Sequence, residues 1–255
     1  MKLLMLGSGT STGVPRIGHD WGECDPNEPR NRRSRVSIIV ENDGGQRILV
    51  DTSTDLRSQL LDNSIDRVDA VFWTHDHADY CHGIDDLRVM RYDRSNPLPG
   101  FASKKTCDRL RKRFDYVFAG QFGYPTLIDL KEIDQKPLVA GFSFDFVEMP
   151  HGPVTSTGFR FEADGRSLVY ATDFSEITEA MVRCYRDADI LVVDCLRRRK
   201  HPTHANLEMA LELAKRTRAR KAVLTHLDKS MDYRTLRNET PGNVVVGYDG
   251  LELSA

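Results

Sequence analysis

The sequence predicts an α/β fold in which two β-sheets pack face to face with helices on their outer sides. Two sets of short apolar runs, one in each half of the chain, have the length and composition of strands. Segments with helical spacing lie between them, and no low-complexity linker separates the halves. We therefore expect one domain over residues 1–255, large enough to bury a substantial core.

The elements of the first half alternate between strands and helices. Strands are predicted at residues 2–6, 37–40, 48–50 and 70–73, and the Asn-Asp-Gly-Gly sequence at 42–45 predicts a hairpin. Residues 55–61 and 104–114 have helical spacing, residues 83–88 suggest a loop entering a helix, and the prolines at 97–99 are expected to break the chain.

The second half repeats this organisation. Residues 206–215 form an amphipathic helix with Leu207, Ala210, Leu211 and Ala214 on one face. Strands are predicted near 142–149, 156–161, 167–172, 190–194, 221–225, 243–246 and 250–253.

One stretch stands out for its chemistry: residues 74–79, Thr-His-Asp-His-Ala-Asp, directly follow the apolar run at 70–73. Its metal-competent side chains are His75, His77 and Asp79. A helix would scatter this spacing, but a tight loop leaving a strand can gather the three around an ion. Two imidazoles and a carboxylate suit Zn, Mn or Fe; the alternative is a solvated loop rich in His and Asp.

Four further apolar runs end in the same kind of residue, namely His151, Asp173, Asp194 and His226. Buried strands that all end in His or Asp place those side chains on one rim of a sheet, where α/β folds bind ligands. Each one alone could be a capping carboxylate or a histidine with a structural partner. Together with the 74–79 motif they predict a metal site at that rim.

Composition and charge exclude several classes of protein. The 36 Lys and Arg residues nearly balance the 38 Asp and Glu residues, so no global field attracts nucleic acid or membranes. No segment resembles a membrane span or a signal peptide. The five cysteines are scattered without a C-x-x-C pair, which argues against a disulfide framework or a thiolate zinc site. We expect a cytoplasmic protein.

The glycine-rich residues 7–13 follow the first predicted strand. A dinucleotide fingerprint would need glycine where Thr12 stands, and Pro15 prevents a helix from starting there. We expect these glycines to let the backbone pass close to the site, with amides free for an anion. The arginines at 30, 32, 33 and 35 predict either a solvated face or a docking surface for substrate phosphate.

The glycine-interrupted segment 114–128 is rich in aromatic residues. It could be a lid, a base-stacking wall, a dimer contact or a satellite core, and the sequence does not separate these. The residues are Phe114, Tyr116, Phe118, Phe122 and Tyr124.

The motif at 74–79, with His151, Asp173 and His226, resembles the metallo-β-lactamase superfamily, whose fold is an αββα sandwich. Within it, the chain is similar to the cyclic-phosphate phosphodiesterase of bacterial phosphonate breakdown at residues 7–15, 83–88, 151–153, 171–173 and 201–207. The resemblance implies two divalent ions, zinc or manganese. His75, His77 and His151 would hold one, Asp173 would bridge, and Asp79 with His226 would hold the second.

Tyr80 departs from the family's pattern, which has a histidine directly after the motif aspartate. A phenol with a pKa near 10 is a poor ligand at neutral pH unless a metal removes its proton. The second site is therefore expected to bind weakly, to keep an extra water or to stand empty, with Cys81 or His82 as adjacent replacements. The family's structural zinc is not expected, because only Cys24 lies in the early loop.

These features predict a metal-dependent phosphodiesterase that hydrolyses a small cyclic or nucleotide-like phosphate ester through a metal-bound hydroxide. By the resemblance, His204 is the general acid for the leaving alkoxide, although it could be a surface histidine beside a helix. Asp79 is the second catalytic residue, and His201, Arg33 and Ser11 are expected to bind substrate. The predicted partner is a small phosphate ester rather than a membrane or nucleic acid, and a homodimer is compatible with the sequence.

Two other functions fit the motif. RNase Z, the tRNA 3′-end endonuclease, shares it, but no long basic excursion that could form a tRNA-binding arm is visible in the sequence. The second is a catalytically weakened protein that holds a nucleotide or sugar phosphate on one metal, which the tyrosine at position 80 would explain.

Overall fold

Two mixed β-sheets pack face to face in the structure, a computed structural model that describes residues 1–92, 94–120, 123–135 and 138–255. The strands are numbered in chain order. From one edge to the other, the first sheet contains β13 (Leu251–Ser254), β1 (Lys2–Gly7), β2 (Ser37–Glu41), β3 (Arg47–Val50), β4 (Ala70–Trp73), β5 (Leu98–Ala102) and β6 (Ile128–Glu132). The second contains β12 (Val244–Val246), β11 (Lys221–Thr225), β10 (Ile190–Asp194), β9 (Arg166–Ala171), β8 (Val154–Ala163) and β7 (Ser143–His151). Strands β3–β6 and β9–β12 run parallel, and the other neighbours pair antiparallel.

Helices cover the outer faces of both sheets, which confirms the predicted αββα sandwich. They are α1 (Leu56–Asp62), α2 (Ala78–Cys81), α3 (Lys104–Arg113), α4 (Asp115–Ala119), α5 (Glu179–Cys184), α6 (Leu207–Thr217) and α7 (Tyr233–Glu239), with 3₁₀ turns at Pro29–Asn31, Ile84–Arg91 and Ile133–Gln135. In α6, Asn206 caps the first turn by accepting the Met209 amide at 3.1 Å. Ala210, Leu213 and Ala214 then bury one face of α6 against the second sheet.

Strand β4 shows how the layers hold the 74–79 motif in place. Phe72 lies between the sheets, with its ring centroid between 4.9 and 5.3 Å from those of Phe101, Phe144, Phe159 and Phe161. Trp73 points to the opposite face and packs with residues of α1 and α3. Because β4 is buried on both faces, it is apolar throughout rather than alternating. Its carboxyl end is therefore a rigid base for the residues that follow.

The expectation that residues 97–99 break the chain is wrong, because β5 begins at Leu98, includes Pro99 and pairs in register with β4 and β6. Gly100 allows the close packing, since a Cβ there would lie 2.6 Å from Cγ2 of Ile128 and 2.9 Å from Cζ3 of Trp73. Proline and glycine argue against a central strand in a sequence, and here they obscured one.

In the aromatic segment 114–128, two phenylalanines pack against the core and two tyrosines are exposed. Phe114 and Phe118 pack against the outer core of the first sheet, and Val117 of α4 is buried there. This confirms the satellite-core interpretation for those two phenylalanines. Tyr116 and Tyr124 are exposed, and Phe122 lies outside the described residues.

Among the described helices, none combines the length and the apolar character needed to cross a bilayer.

Asp232 joins the early loop to α7 and makes part of the stability depend on pH. Its carboxylate caps α7 by accepting the Thr235 amide at 2.9 Å, and it accepts the Asn31 side-chain amide at 2.7 Å. Burial alone would raise the pKa of Asp232, but these hydrogen bonds outweigh burial and lower its pKa from 3.8 to about 2.

We predict that Asp232→Ala lowers the free energy of unfolding by about 1–2 kcal/mol at pH 7, the usual cost of losing an N-cap. Because the pKa is depressed in the folded state, the wild-type contribution is complete above about pH 4 and is lost as the pH falls toward 2. Urea unfolding at pH 7 and at pH 3 measures this, with the exposed Asp66→Ala as the control. A deficit of the same size at both pH values would contradict the assignment.

Candidate metal centre

The predicted strand-end residues lie together at one rim of the sandwich. Strands β7, β9, β10 and β11 run in the same direction, so their carboxyl ends meet at one edge of the second sheet. His151 ends β7 and Asp194 ends β10. Asp173 lies two residues after the end of β9, and His226 follows β11 directly. The loop after β4 in the facing sheet supplies His75.

Four of the predicted ligands form a first cluster. Ligand atoms of His75, His77, His151 and Asp173 all lie within 4.8 Å of one another. Oδ2 of Asp173 is 3.5 Å from Nε2 of His75 and 3.3 Å from Nε2 of His151. Nδ1 of His77 lies 3.4 Å from Nε2 of His151. Three imidazole nitrogens and one carboxylate oxygen thus face a common point, which suits a zinc or manganese ion.

A second cluster shares Asp173 with the first. Ligand atoms of Asp173, Asp194, His204 and His226 also lie within 4.8 Å of one another. Oδ1 of Asp173 is 3.6 Å from Nε2 of His226, and Oδ2 of Asp79 is 3.8 Å from the same nitrogen. The two oxygens of Asp173 therefore face different clusters, as a bridging carboxylate would.

Unpaired nitrogens at the two clusters support a fit to metal ions. Among the described residues, Nε2 of His75 and both ring nitrogens of His226 are buried without a hydrogen-bond partner. A buried polar atom without a partner is costly, whereas an imidazole lone pair that meets a divalent cation is satisfied. The residues present at both clusters therefore fit divalent ions.

The charges of the second cluster also support a fit to a divalent ion. Burial opposes the charged forms of Asp173 and His226, but their mutual attraction dominates. The pKa of Asp173 lies well below its usual range because His226, His204 and His75 surround it. The pKa of His226 is raised well above its usual range by Asp173, Asp194 and Asp79. A divalent ion would replace the imidazolium proton as the partner of these carboxylates.

Neighbouring groups orient the histidines of the first cluster. Oγ1 of Thr74 donates to Asp51 at 3.0 Å and lies 3.0 Å from Nδ1 of His75, so a buried carboxylate fixes that ring through a hydroxyl. Nδ1 of His151 lies 2.7 Å from the carbonyl oxygen of Thr203. Such contacts leave the Nε2 atoms of both rings to face the common point.

Asp76 anchors the ligand loop to α3. This carboxylate lies between the two motif histidines in sequence, is buried, and pairs with Arg109 at 2.7 Å and Arg113 at 2.9 Å. Burial would raise the pKa of Asp76, but the two guanidinium groups lower it. Arg113 also donates to the Asp76 carbonyl oxygen. These ion pairs therefore hold the loop between His75 and His77 against α3.

Three residues at the strand ends adopt the left-handed backbone conformation. Their φ angles are 64° for Asp51, 57° for Asp173 and 60° for His226. Non-glycine residues rarely adopt this conformation, and such strain concentrates at functional sites. The turn that it produces directs each side chain into the rim.

Tyr80 lies inside this centre rather than beside it. It is fully buried, and its ring centroid is 4.3 Å from that of His75. Its hydroxyl donates to Oδ1 of Asp173 and lies 2.9 Å from Oγ1 of Thr172. Burial and the neighbouring Asp173 raise the pKa of Tyr80 well above 10. Neither proposed replacement joins the clusters: Cys81 is buried with its thiol on the Asp76 carbonyl, and His82 is exposed against Phe114.

His204 and His201 lie at the mouth of the second cluster. Nδ1 of His204 is 3.3 Å from Asp194 and 3.5 Å from Asp173, and its ring stacks on His226 with centroids 4.8 Å apart. Burial lowers the pKa of His204, but the hydrogen bonds to the two carboxylates outweigh this and raise the pKa to about 9. The His201 ring lies 5.0 Å from that of His204. His204 therefore belongs to the second cluster and is not merely a surface histidine beside a helix.

The predicted substrate role of Arg33 is wrong. Arg33 is only 2 % exposed, and its guanidinium donates to the Met231 carbonyl oxygen at 2.7 Å and to the Asn31 side chain at 3.2 Å. It fastens the early loop to the segment after His226 instead of facing a ligand. Ser11 is exposed one residue beyond Thr10, whose amide donates to the Leu227 carbonyl oxygen at 3.2 Å.

The other arginines of the early cluster remain at least partly exposed, as a solvated face would be, and each also has a partner within the chain. Arg30 pairs with Glu28 at 2.6 Å, Arg32 lies over the Trp21 ring, and Arg35 pairs with Asp55 at 2.8 Å.

The glycine-rich loop passes beside the centre as expected, but several of its amides are not free for an anion. Ser8 donates to Asp249 at 2.9 Å, Gly9 to the Ser34 carbonyl oxygen at 2.8 Å, and Gly13 to the Thr10 carbonyl oxygen at 2.8 Å. The prediction of free amides therefore does not hold at residues 8, 9 and 13, where backbone hydrogen bonds build the loop into the fold.

Comparison with known proteins agrees with this geometry. The family described as "Beta-lactamase superfamily domain" matches residues 46–227. A new diphosphatase from the PhnP family, known from its crystal structure, is 34 % identical to this chain and superposes on it with a TM-score of 0.89. The alignment covers 99 % of this chain and 96 % of the diphosphatase. The short form of human tRNase Z is 18 % identical with a TM-score of 0.72, covers 100 % of this chain and 99 % of its own, and shows the shared fold.

A curated relative, octanoyltransferase of Porphyromonas gingivalis, is 34 % identical over 99 % of this chain. The chain spans about half, 51 %, of the length of that relative. The match over residues 46–227, the fold and the two clusters that share Asp173 agree with one another. The chain belongs to the metallo-β-lactamase superfamily and is similar to a diphosphatase of the PhnP family.

Proposed function

We propose that the chain is a metal-dependent phosphodiesterase that hydrolyses a small cyclic or nucleotide-like phosphate ester. The observation that supports this most directly is the pair of clusters that share Asp173, with all ligand atoms of each cluster within 4.8 Å of one another. Paired divalent sites with a shared carboxylate suit attack on phosphorus, because both the entering and the leaving oxygen need charge neutralisation.

A different set of residues would hold each ion, with Asp173 in both sets. His75, His77, His151 and Asp173 would hold the first ion. Asp173 and His226 of the second cluster would hold the second ion together with Asp79, which lies beside that cluster. When bound there, the ions supply Lewis-acid chemistry that polarises a phosphoryl oxygen and makes water acidic enough to attack at neutral pH.

Asp194 and His204 are suited to move a proton. Oδ2 of Asp194 lies 3.3 Å from Nδ1 of His204, and Oδ1 of Asp194 lies 3.5 Å from Nδ1 of His226. With Nδ1 of His204 held by a carboxylate, Nε2 is the atom left to give a proton to a leaving alkoxide. Asp79 keeps its predicted role at the second ion, beside His226.

The name of the PhnP-family relative extends the substrate class to diphosphates. In-line attack on a diphosphate uses the same centre and differs only in its leaving group, which is a phosphate rather than an alkoxide. The proposed partner is therefore a small molecule with a phosphodiester or diphosphate linkage. A homodimer remains a prediction that sedimentation velocity can test.

The test uses protein stripped with a chelator and reloaded with Mn²⁺ or Zn²⁺. The substrates are bis-p-nitrophenyl phosphate, a 2′,3′-cyclic nucleotide, a nucleotide sugar with a diphosphate linkage, and a precursor tRNA with a 3′ trailer. We expect metal-dependent turnover of the small esters and none by the stripped protein. Cleavage of the precursor tRNA alone would favour the RNase Z alternative, and tight binding of nucleotides without turnover would favour the weakened binding protein.

A further inference from the structure

We propose that Tyr80 is a positioning residue that directs Asp173 toward the first cluster and thereby makes the second ion the weaker and more exchangeable one. This inference rests on the proposed metal centre but not on the choice of substrate. It assigns a role to the one residue that departs from the expected ligand set.

The first step is the division of the two oxygens of Asp173. Oδ2 faces His75 at 3.5 Å and His151 at 3.3 Å, so it serves the first cluster. Oδ1 faces Nε2 of His226 at 3.6 Å, so it is the oxygen available to an ion in the second cluster. Anything that engages Oδ1 therefore acts on one ion more than on the other.

The second step is that Tyr80 engages this oxygen. Its hydroxyl donates to Oδ1 of Asp173, and Oγ1 of Thr172 donates to the same oxygen at 3.2 Å. Two hydroxyl donors fix the plane of the carboxylate and withdraw electron density from Oδ1. Oδ2 has no such donor among the described residues, and it remains the better ligand.

The third step is the count of donors around each ion. The first cluster offers four protein ligands, three of them imidazoles. At the second ion we count Asp79, the weakened oxygen of Asp173 and His226 as the protein ligands. Asp194 and His204 pair with each other at 3.3 Å, and the phenol at position 80 is already committed to Asp173. Fewer and weaker protein ligands leave more coordination positions to water, which favours exchange.

Calorimetric titration of chelator-stripped protein with Mn²⁺ and with Zn²⁺ tests this without substrate. We expect wild-type protein to bind two ions with dissociation constants at least tenfold apart. Tyr80→Phe removes the donor, which loosens Asp173 and frees Oδ1. It should weaken the tighter step by about tenfold or more, the usual effect of losing an outer hydrogen bond to a ligand, and bring the two constants closer together.

Two further variants make the result decisive. Tyr185→Phe removes another fully buried tyrosine hydroxyl, one that contacts Sδ of Met149 at 3.2 Å, and it should leave both constants unchanged. Tyr80→His replaces the donor with an imidazole ligand and should tighten the second step at least tenfold, which keeps the inference testable if Tyr80→Phe fails to fold.

Equal constants in the wild type, or a ratio in Tyr80→Phe within twofold of the wild type, would overturn the inference. Because no substrate is present, absence of phosphodiesterase activity would defeat the proposed function and leave this result intact. Conversely, equal metal constants in an active phosphodiesterase would defeat only the inference.

Discussion

Asp173→Asn is expected to lower kcat/KM for bis-p-nitrophenyl phosphate by about 10³-fold or more and to remove most of the bound metal. Asp173 belongs to both clusters, and asparagine keeps its shape but loses the negative charge that binds and bridges the ions. Metal ions contribute several kcal/mol of charge stabilisation in the transition state, and each 1.36 kcal/mol is tenfold in rate. Steady-state kinetics and elemental analysis of the purified variant measure both effects.

Asp189→Asn is the matched control. Asp189 is a partly buried carboxylate that accepts the Ser167 amide at 2.9 Å, at the amino ends of β9 and β10, away from the rim. This variant should keep its metal and its rate. If Asp173→Asn retained two ions and wild-type turnover, Asp173 would not be the shared ligand.

His204→Ala is expected to have the second-largest effect, and the size should depend on the leaving group. Loss of a general acid costs about 10²–10⁴-fold when the departing oxygen needs a proton, as in an alkyl phosphodiester or a cyclic nucleotide. A p-nitrophenolate leaves without one, so bis-p-nitrophenyl phosphate should be affected much less. Rates for a series of aryl phosphodiesters, plotted against the pKa of the leaving phenol, should fall more steeply for the variant.

The control for this experiment is His201→Ala, which removes the adjacent ring but not the contact with Asp194. It should leave the slope of the plot unchanged. An equal loss on all esters, accompanied by loss of one ion, would instead make His204 a metal ligand. No loss on any ester would remove it from the reaction.

The ligand set could be predicted because its members follow buried strands. A strand such as β4 is apolar on both faces, so the polar residues that follow it are conspicuous in the sequence, as His75 is after Trp73. The same pattern pointed to His151, Asp173 and His226. What the sequence cannot give is the distance between residues 75 and 226, which the packing of two sheets decides.

The residues that orient the ligands were harder to predict. Asp51 and Asp194 both follow apolar runs, and that position was the available signal. Their roles, however, depend on contacts with Thr74 and His204 that cross between elements. Arg33 misled the prediction because a cluster of arginines in sequence says nothing about burial, and only the fold shows that its guanidinium fastens the early loop to the Met231 carbonyl oxygen.

Strand β5 was missed for a different reason. Pro99 and Gly100 disfavour a central strand in isolation, but the close approach of Trp73 and Ile128 requires a residue without a side chain. Tertiary packing overrides local preference at this position. The sheet order around the motif therefore had to come from the structure.

Anomalous diffraction from crystals grown with excess Mn²⁺ tests the central claim most directly. The account predicts one strong anomalous peak within ligand distance of His75, His77, His151 and Asp173, and a second, weaker peak between Asp173 and His226. The absence of any peak at these side chains, or histidines that point away from one another, would contradict the metal centre and every step of chemistry built on it.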